Sequence, residues 1–229
     1  MQTSATTISG ISLNRAQMIE LLANGDAPRV FDSCDLDGAD FSRLDFQNAE
    51  FIACSLVETS FYAANLSRSK WRRCRGGLAD FEATEVVDAR FDACDLNNTE
   101  WRRARMASAT FVECKLTGAN FEEASHLGLT FDQCRLVGAD LRRFSFRKAR
   151  LAGLDFQDAD LSGCDFRQAV FEDCSLRNAE LKDTRFDGAD LRGADIAGVK
   201  LGNAAMFKGA IISNRQAAEM MLELGLIVA

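Results

Sequence analysis

The sequence predicts an all-β solenoid: a four-sided parallel β-helix of about nine 20-residue coils, with a short capping α-helix at each end. Three observations carry this. Stepping by five from Phe31 gives Phe31, Leu36, Phe41, Phe46, Phe51, Leu56, Phe61, Leu66 and Trp71, and continues without insertion to Leu201 and Met206; of these 36 positions 28 are Phe or Leu. The residue two places earlier is small, as at Ala39, Ala49, Ala64, Ala79, Ala119 and Ala159, and all eight cysteines occupy that place. Cys34, Cys54, Cys74, Cys94, Cys114 and Cys134 recur every twenty residues, Cys174 continues their column, and Cys164 falls ten residues off that beat. Aromatic residues at 31, 51, 71, 91, 111 and 131 keep the same beat, as do leucines at 36, 56, 96, 116 and 136.

A period of five fits neither the 3.6 of a helix nor continuous strand alternation. It fits three residues alternating in, out and in, followed by two that turn a corner. Four such corners close a twenty-residue coil, and residues twenty apart then stack at about the 4.8 Å spacing of paired strands.

The triplets Ala39-Asp40-Phe41, Ala119-Asn120-Phe121, Ala139-Asp140-Leu141, Ala159-Asp160-Leu161 and Ala189-Asp190-Leu191 resemble the signature of pentapeptide-repeat proteins, and the resemblance runs from residue 29 to about 208. It implies a right-handed quadrilateral β-helix. It also implies, by likeness to the quinolone-resistance members, a DNA-mimicking rod that binds a type II topoisomerase (DNA gyrase), in which a C-terminal element joins two copies end to end.

Each segment has its own expectation. Residues 1–11 are Ser/Thr-rich, without a cationic region or apolar core, and are expected to form a disordered lead and no signal peptide. Residues 12–28 are expected to form a capping helix and linker: Leu13, Ala16, Ile19 and Leu22 or Ala23 share a side, Asn14 and Gln17 suit a capping box, Gly25 a stop and Pro28 a break. Residues 29–208 form the coils. Residues 209–229 repeat the capping pattern, with a box at Ser213 and Gln216, then Ala217, Met220, Met221, Leu224 and a stop at Gly225. The tail Leu226, Ile227, Val228, Ala229 is apolar; it either packs on the last coil or joins two copies, and Met220, Met221, Leu224, Leu226, Ile227 and Val228 are the candidate contacts.

Two positions break the core pattern. Gly76, followed by Gly77, removes one central side chain, leaving a dent partly filled by Leu78; His126 stands where the column otherwise reads Leu66, Val86, Met106, Phe146. Whether either marks a pocket, a bend or nothing is open. As the only histidine, His126 reads more readily as a packed core residue than as a catalyst. Parallel Cβ vectors disfavour disulfides in the cysteine column, and buried free thiols point to the cytoplasm. No Cys-x-x-Cys pair suggests a structural zinc.

A net charge of −7 argues against direct nucleic-acid binding. Yet by column the charges alternate in sign, as in Glu82, Arg102, Glu122, Arg142, so Arg72-Arg73, Arg102-Arg103 and Arg142-Arg143 read as rungs of salt-bridge ladders, and no face is a continuous acidic stripe. No membrane helix is expected. A filled interior without a grouped acid, base and nucleophile predicts no enzyme and no cofactor. The expectation is therefore a non-enzymatic interaction scaffold with an unidentified protein partner, with the gyrase-binding mimic and an exported bacterial effector as alternatives.

Overall fold

One residue in every five turns the corner. Ser33, Gly38, Arg43 and Asn48 follow one another with φ of 54°, 65°, 60° and 62°. This left-handed conformation costs an L-residue roughly 1–2 kcal/mol, and local hydrogen bonds offset it. The Leu36 carbonyl accepts from the Ala39 amide at 3.1 Å and the Phe46 carbonyl from Ala49 at 2.9 Å. The Asp or Asn before the central residue closes the corner from outside: Asp40 Oδ1 accepts the Ser42 amide, Asp80 that of Glu82 and Asn120 that of Glu122, at 2.9, 2.9 and 3.0 Å. These are Asx turns, and they explain the polar residue of each Ala-Asp-Leu triplet.

The computed structural model describes residues 6–23, 29–199, 204–223 and 225–227, and its backbone divides into two units, Met1–Phe131 and Asp132–Ala229. The first unit contains β1 (Thr6–Ser9), α1 (Arg15–Ala23), β2 (Arg29–Asp32), β3 (Glu50–Ile52), β4 (Lys70–Arg72), β5 (Arg90–Asp92), β6 (Thr110–Val112) and β7 (Thr130–Asp132), and these strands pair in chain order. Pairing is parallel with a step of twenty: Phe31 faces Phe51, Phe51 faces Trp71, Trp71 faces Phe91 and Phe91 faces Phe111. The remaining sides are held by single parallel bridges with the same step, such as Asp40 to Ser60 and Asn65 to Glu85.

That register stacks the rings. Phe51 lies 3.8 Å from Trp71 at 8°, and Phe91 lies 4.6 Å from Phe111 at 4°. A second column runs through Phe61, Phe81 and Trp101, with 4.2 Å and 3° between the last two, and meets the first edge-on where Trp101 lies 5.5 Å from Phe111 at 88°. Indole needs a hydrogen-bond acceptor when buried. At both tryptophans the small position therefore carries a hydroxyl: Trp71 Nε1 donates to Ser69 Oγ and Trp101 Nε1 to Thr99 Oγ1, each at 2.8 Å.

The second unit contains β8 (Arg150–Ala152), β9 (Val170–Glu172), β10 (Cys174–Ser175), β11 (Ala194–Asp195), a 3₁₀ turn at Ala204–Phe207 and α2 (Asn214–Glu223). Strand β8 pairs with β9 and β10 with β11, both parallel at a step of twenty. Phe146, Phe166 and Phe186 stack at 5.0 and 5.2 Å. The fold is thus a four-sided β-solenoid of the expected class.

Four local expectations require correction. Part of the lead is ordered: β1 lies parallel to β2 with Ile8 facing Phe31, because the first coil otherwise exposes an unpaired strand edge. Helix α1 starts at Arg15, and its apolar face differs from the expected one. Met18 is fully buried with Leu13, whereas Ile19 is 45% exposed. Asn14 caps this helix through a reciprocal box with Gln17, 2.9 and 3.1 Å, which makes Leu13 and Met18 the N′ and N4 pair of a hydrophobic staple. The five-residue register does not reach Met206: Phe207 stacks on Phe186 at 5.2 Å and 12°, and Ile211 pairs with Asp190, both at a step of twenty-one. The one-residue shift seats a flat ring where Met206 was expected.

Gly76 leaves no dent for Leu78 to fill. A Cβ built on it would lie 2.6 Å from Leu56 Cδ1 and 3.0 Å from Leu96 Cδ2, so the leucines above and below close the gap, and Leu78 is 56% exposed at its corner. Gly77 meets only the Asn97 carbonyl oxygen, at 3.7 Å.

Candidate interaction surfaces

The interior is occupied by side chains that stack on one another. Phe31, Phe41, Phe51, Phe61, Trp71, Phe81, Phe91 and Trp101 all have 0% exposure. The eight cysteines are free and buried among them. Their thiols use a carbonyl from the preceding coil: Cys54 Sγ donates to the Phe31 oxygen at 3.2 Å, Cys74 to Phe51 at 3.4 Å, Cys114 to Phe91 at 3.4 Å and Cys164 to Leu141 at 3.1 Å. Thr59 and Thr184 make the same bond, to Leu36 and Leu161. The column is thus a run of small donors completing corners, and burial pushes the Cys164 thiol up to about 12. No group of three or more metal-ligating side chains occurs among the described residues.

His126 is half-buried, and its Nδ1 lies 3.2 Å from the Ala124 carbonyl, which only accepts, so Nδ1 carries the hydrogen. The following Leu127 is 84% exposed. The corner itself is regular: the Leu129 amide reaches the His126 carbonyl at 3.1 Å and the Ser108 amide the Leu127 carbonyl at 2.9 Å.

Outside the core, acidic groups are mostly engaged. Arg102 bonds Glu82 at 2.6 Å and Arg103 bonds the same carboxylate, giving the ladder rung expected across coils. Arg105 pairs with Glu85, Lys115 with Asp95 and Arg72 with Glu50. In the second unit arginine often turns back onto its own repeat: Arg142 to Asp140, Arg167 to Asp165 and Arg192 to Asp190, at 2.5, 2.6 and 2.6 Å. Hydrogen bonds from these partners hold Asp165 and Asp190 below the usual carboxylate range; in Asp195 the Ala197 amide has the same effect. Because the folded values lie below the unfolded value of about 3.9, their stabilisation is complete above it and is lost as pH falls through the folded values. Urea midpoints are expected to stay flat from pH 7 to about 5 and to drop below about 4. Asp165→Asn keeps an acceptor for the corner amide and should flatten part of that drop.

The C-terminal end is built around Gln216, which is 2% exposed. Its Oε1 accepts the Ser213 amide at 2.7 Å, and Ser213 Oγ accepts the Gln216 amide at 3.2 Å, closing the second capping box. Its Nε2 donates to the carbonyls of Leu191 and Ala194, both at 2.8 Å, and so finishes the last coil. Gly225, at φ 81°, ends α2: its amide reaches the Leu222 carbonyl and the Leu226 amide that of Met221.

Of the six candidate contacts at this end, Met220 packs inward, whereas Met221, Leu226 and Ile227 are 38, 54 and 94% exposed. Leu226 and Ile227 thus leave much of their apolar surface uncovered, and Leu222 joins them at 57% exposed, a residue absent from the sequence expectation. Leu224 and Val228 lie outside the described residues. Beside this end Arg177, Arg192, Arg215, Asp173, Asp195 and Glu219 line a cleft of about 390 Å³. Arg177 pairs with Asp195 at 2.8 Å and Arg215 with Glu219 at 3.7 Å, so much of its charge is internally compensated.

Stacked five-residue repeats, a ring-filled interior and variable outer columns define a repeat protein of the four-sided solenoid class. The chain belongs to the pentapeptide repeat family: the profile for a pentapeptide repeat region matches residues 30–101, and that for pentapeptide repeats (8 copies) matches residues 87–122, 130–168 and 169–206. No curated protein matches by sequence. Among solved structures, full-length QnrB1, a plasmid-mediated fluoroquinolone resistance protein, is 18% identical with a TM-score of 0.62, over 97% of this chain and 99% of that one. HetL, a pentapeptide repeat protein involved in heterocyst differentiation regulation from the cyanobacterium Nostoc sp. strain PCC 7120, is 21% identical with a TM-score of 0.46, over 86% and 94%. The first of these likenesses shows the fold.

Proposed function

We propose that this chain is a non-enzymatic interaction scaffold whose partner is a protein. The observation that carries the reading is the division of labour within each repeat: two positions are spent on a filled interior, and three project outward with side chains that differ from coil to coil. The exposed cluster of Met221, Leu222, Leu226 and Ile227 supplies an apolar contact surface, and a second copy of the chain is its proposed occupant, since a solenoid end left uncovered exposes apolar surface. Free buried thiols support a reducing compartment.

Light scattering is the first test. The intact chain should be a dimer, and deletion of residues 226–229 should give a monomer; a monomeric intact chain overturns the dimer. Affinity capture with the intact chain should retain a protein that is lost on substitution of outward residues, and capture of none overturns the scaffold. The likeness to QnrB1 over nearly the whole chain supports a second reading, a DNA-mimicking gyrase inhibitor or protector. Against it stands the use of aspartates as corner acceptors and arginine partners, which leaves few free to imitate a row of phosphates. Supercoiling assays with and without a quinolone decide: neither inhibition nor protection would remove this reading.

A further inference from the structure

We propose that the outer surface of residues 68–75 docks an extended acidic segment of a partner protein; this rests on the interaction reading above and specifies the chemistry of one partner. In the first unit acidic residues outnumber basic ones 19 to 13, yet Arg68, Lys70, Arg72, Arg73 and Arg75 follow one another with no carboxylate between them. All five side chains are exposed, on a stretch whose inward residues Trp71 and Cys74 are buried.

The ladder rule that governs the other columns fails here. Lys70 faces Glu50 on one side and Arg90 on the other. Glu50 is taken by Arg72 at 2.5 Å, and Arg90 bonds Asp92 at 2.7 Å. Arg75 bridges Asp95 along the backbone, but that carboxylate binds Lys115 Nζ at 3.2 Å. Among the described residues no carboxylate lies within ion-pair distance of Arg68, Lys70, Arg73 or Arg75. A lysine directly across from an arginine is destabilising by a few tenths of a kcal/mol, so the strip works against folding unless an outside anion neutralises it.

Its width selects the ligand. Glu50 lies in the coil on one side, and Asp92 and Asp95 lie in the coil on the other, opposite Arg72 and Arg75, so the cationic strip is one coil wide. A duplex or an anionic membrane would span those carboxylates as well. An extended peptide lying along β4 would not. Lys70 lies on that strand between the corners at Arg68 and Arg73, with φ of 58° and 53°, so three cations without a carboxylate follow one another along a single side of the coil, as the acidic side chains of an extended partner would.

The test uses the full chain and a fluorescent peptide with glutamate at every second position, followed by anisotropy at low and physiological salt. Binding should weaken with salt. The variant Arg68→Gln/Lys70→Gln/Arg73→Gln/Arg75→Gln should bind at least about tenfold more weakly. The control Arg102→Gln/Arg103→Gln/Arg105→Gln/Lys115→Gln removes the same charge from paired positions and should bind within about twofold of the intact chain. All eight side chains point outward, and circular dichroism verifies both folds. Absence of binding by the intact chain, equal loss in both variants, or tighter binding of oligothymidylate or of vesicles containing an anionic phospholipid would overturn the proposal. Capture of a cellular protein that survives the first variant would refute the strip while leaving the scaffold reading standing.

Discussion

Trp101→Ala is expected to destabilise the first unit by about 3–5 kcal/mol, read as a lowered urea midpoint. The indole is fully buried between Phe81 at 4.2 Å and Phe121 at 6.1 Å, with Phe91 and Phe111 edge-on at 5.5 Å. Removing it leaves a void one coil deep that the backbone cannot close. The ladder fixes the spacing on both sides, through the Phe81 amide to the Glu100 carbonyl and the Trp101 amide to the Asn120 carbonyl, both 2.7 Å. Gly76 shows the contrasting case: flexible Leu56 and Leu96 reach into the gap, which rigid stacked rings do not do. Trp101→Phe should cost much less, since a ring remains and Thr99 still donates to the Leu96 carbonyl at 2.8 Å.

The second large effect is expected at Gln216. Its amide nitrogen is the donor to two buried carbonyls and its oxygen holds the start of α2. Gln216→Leu matches the volume but takes from the Ala194 carbonyl its side-chain donor, at about 1–3 kcal/mol for a buried group, and leaves the Leu191 carbonyl with the Ala194 amide alone, at 2.9 Å. Gln216→Glu is the sharper test. At neutral pH it turns a carboxylate toward both carbonyls, and its folded pKa should rise, so its destabilisation should ease as pH falls and the carboxyl regains a hydrogen to donate. Loss of helical ellipticity from α2 ahead of the strand signal would place the damage at this end; wild-type stability in both variants would contradict the role assigned to Gln216.

The coil geometry was legible because the period of five is written in Phe, Leu, Ala and Cys, and the twenty-residue beat in the cysteine column. The capping boxes at Asn14 and Ser213 were legible for the same reason, since each uses neighbours three apart. What escaped was set by partners distant in sequence. Nothing local to Gln216 says that its side chain finishes a coil more than twenty residues earlier. Leu13 is buried as its pattern suggested, but Met18 buries a different side of α1 from the expected one, because docking on the coil and the staple decide the face. The shift at Phe207 follows from the ring of Phe186 and not from the five-residue spacing. Among the arginines, the sequence displayed the pairs but not which carboxylates were already taken: Arg102 and Arg103 share Glu82, whereas Arg73 has no such partner among the described residues.

The central claim is a closed interior filled by side chains, with everything else on the outside. Thiol accessibility tests it most directly, because the eight cysteines are distributed through that interior and serve as donors within it. With a thiol-specific reagent in excess at neutral pH, the native chain should react at none of its eight cysteines over minutes, and the chain in denaturant should react at all eight. Rapid labelling of Cys54, Cys74 or Cys94 in the native protein would contradict a filled core.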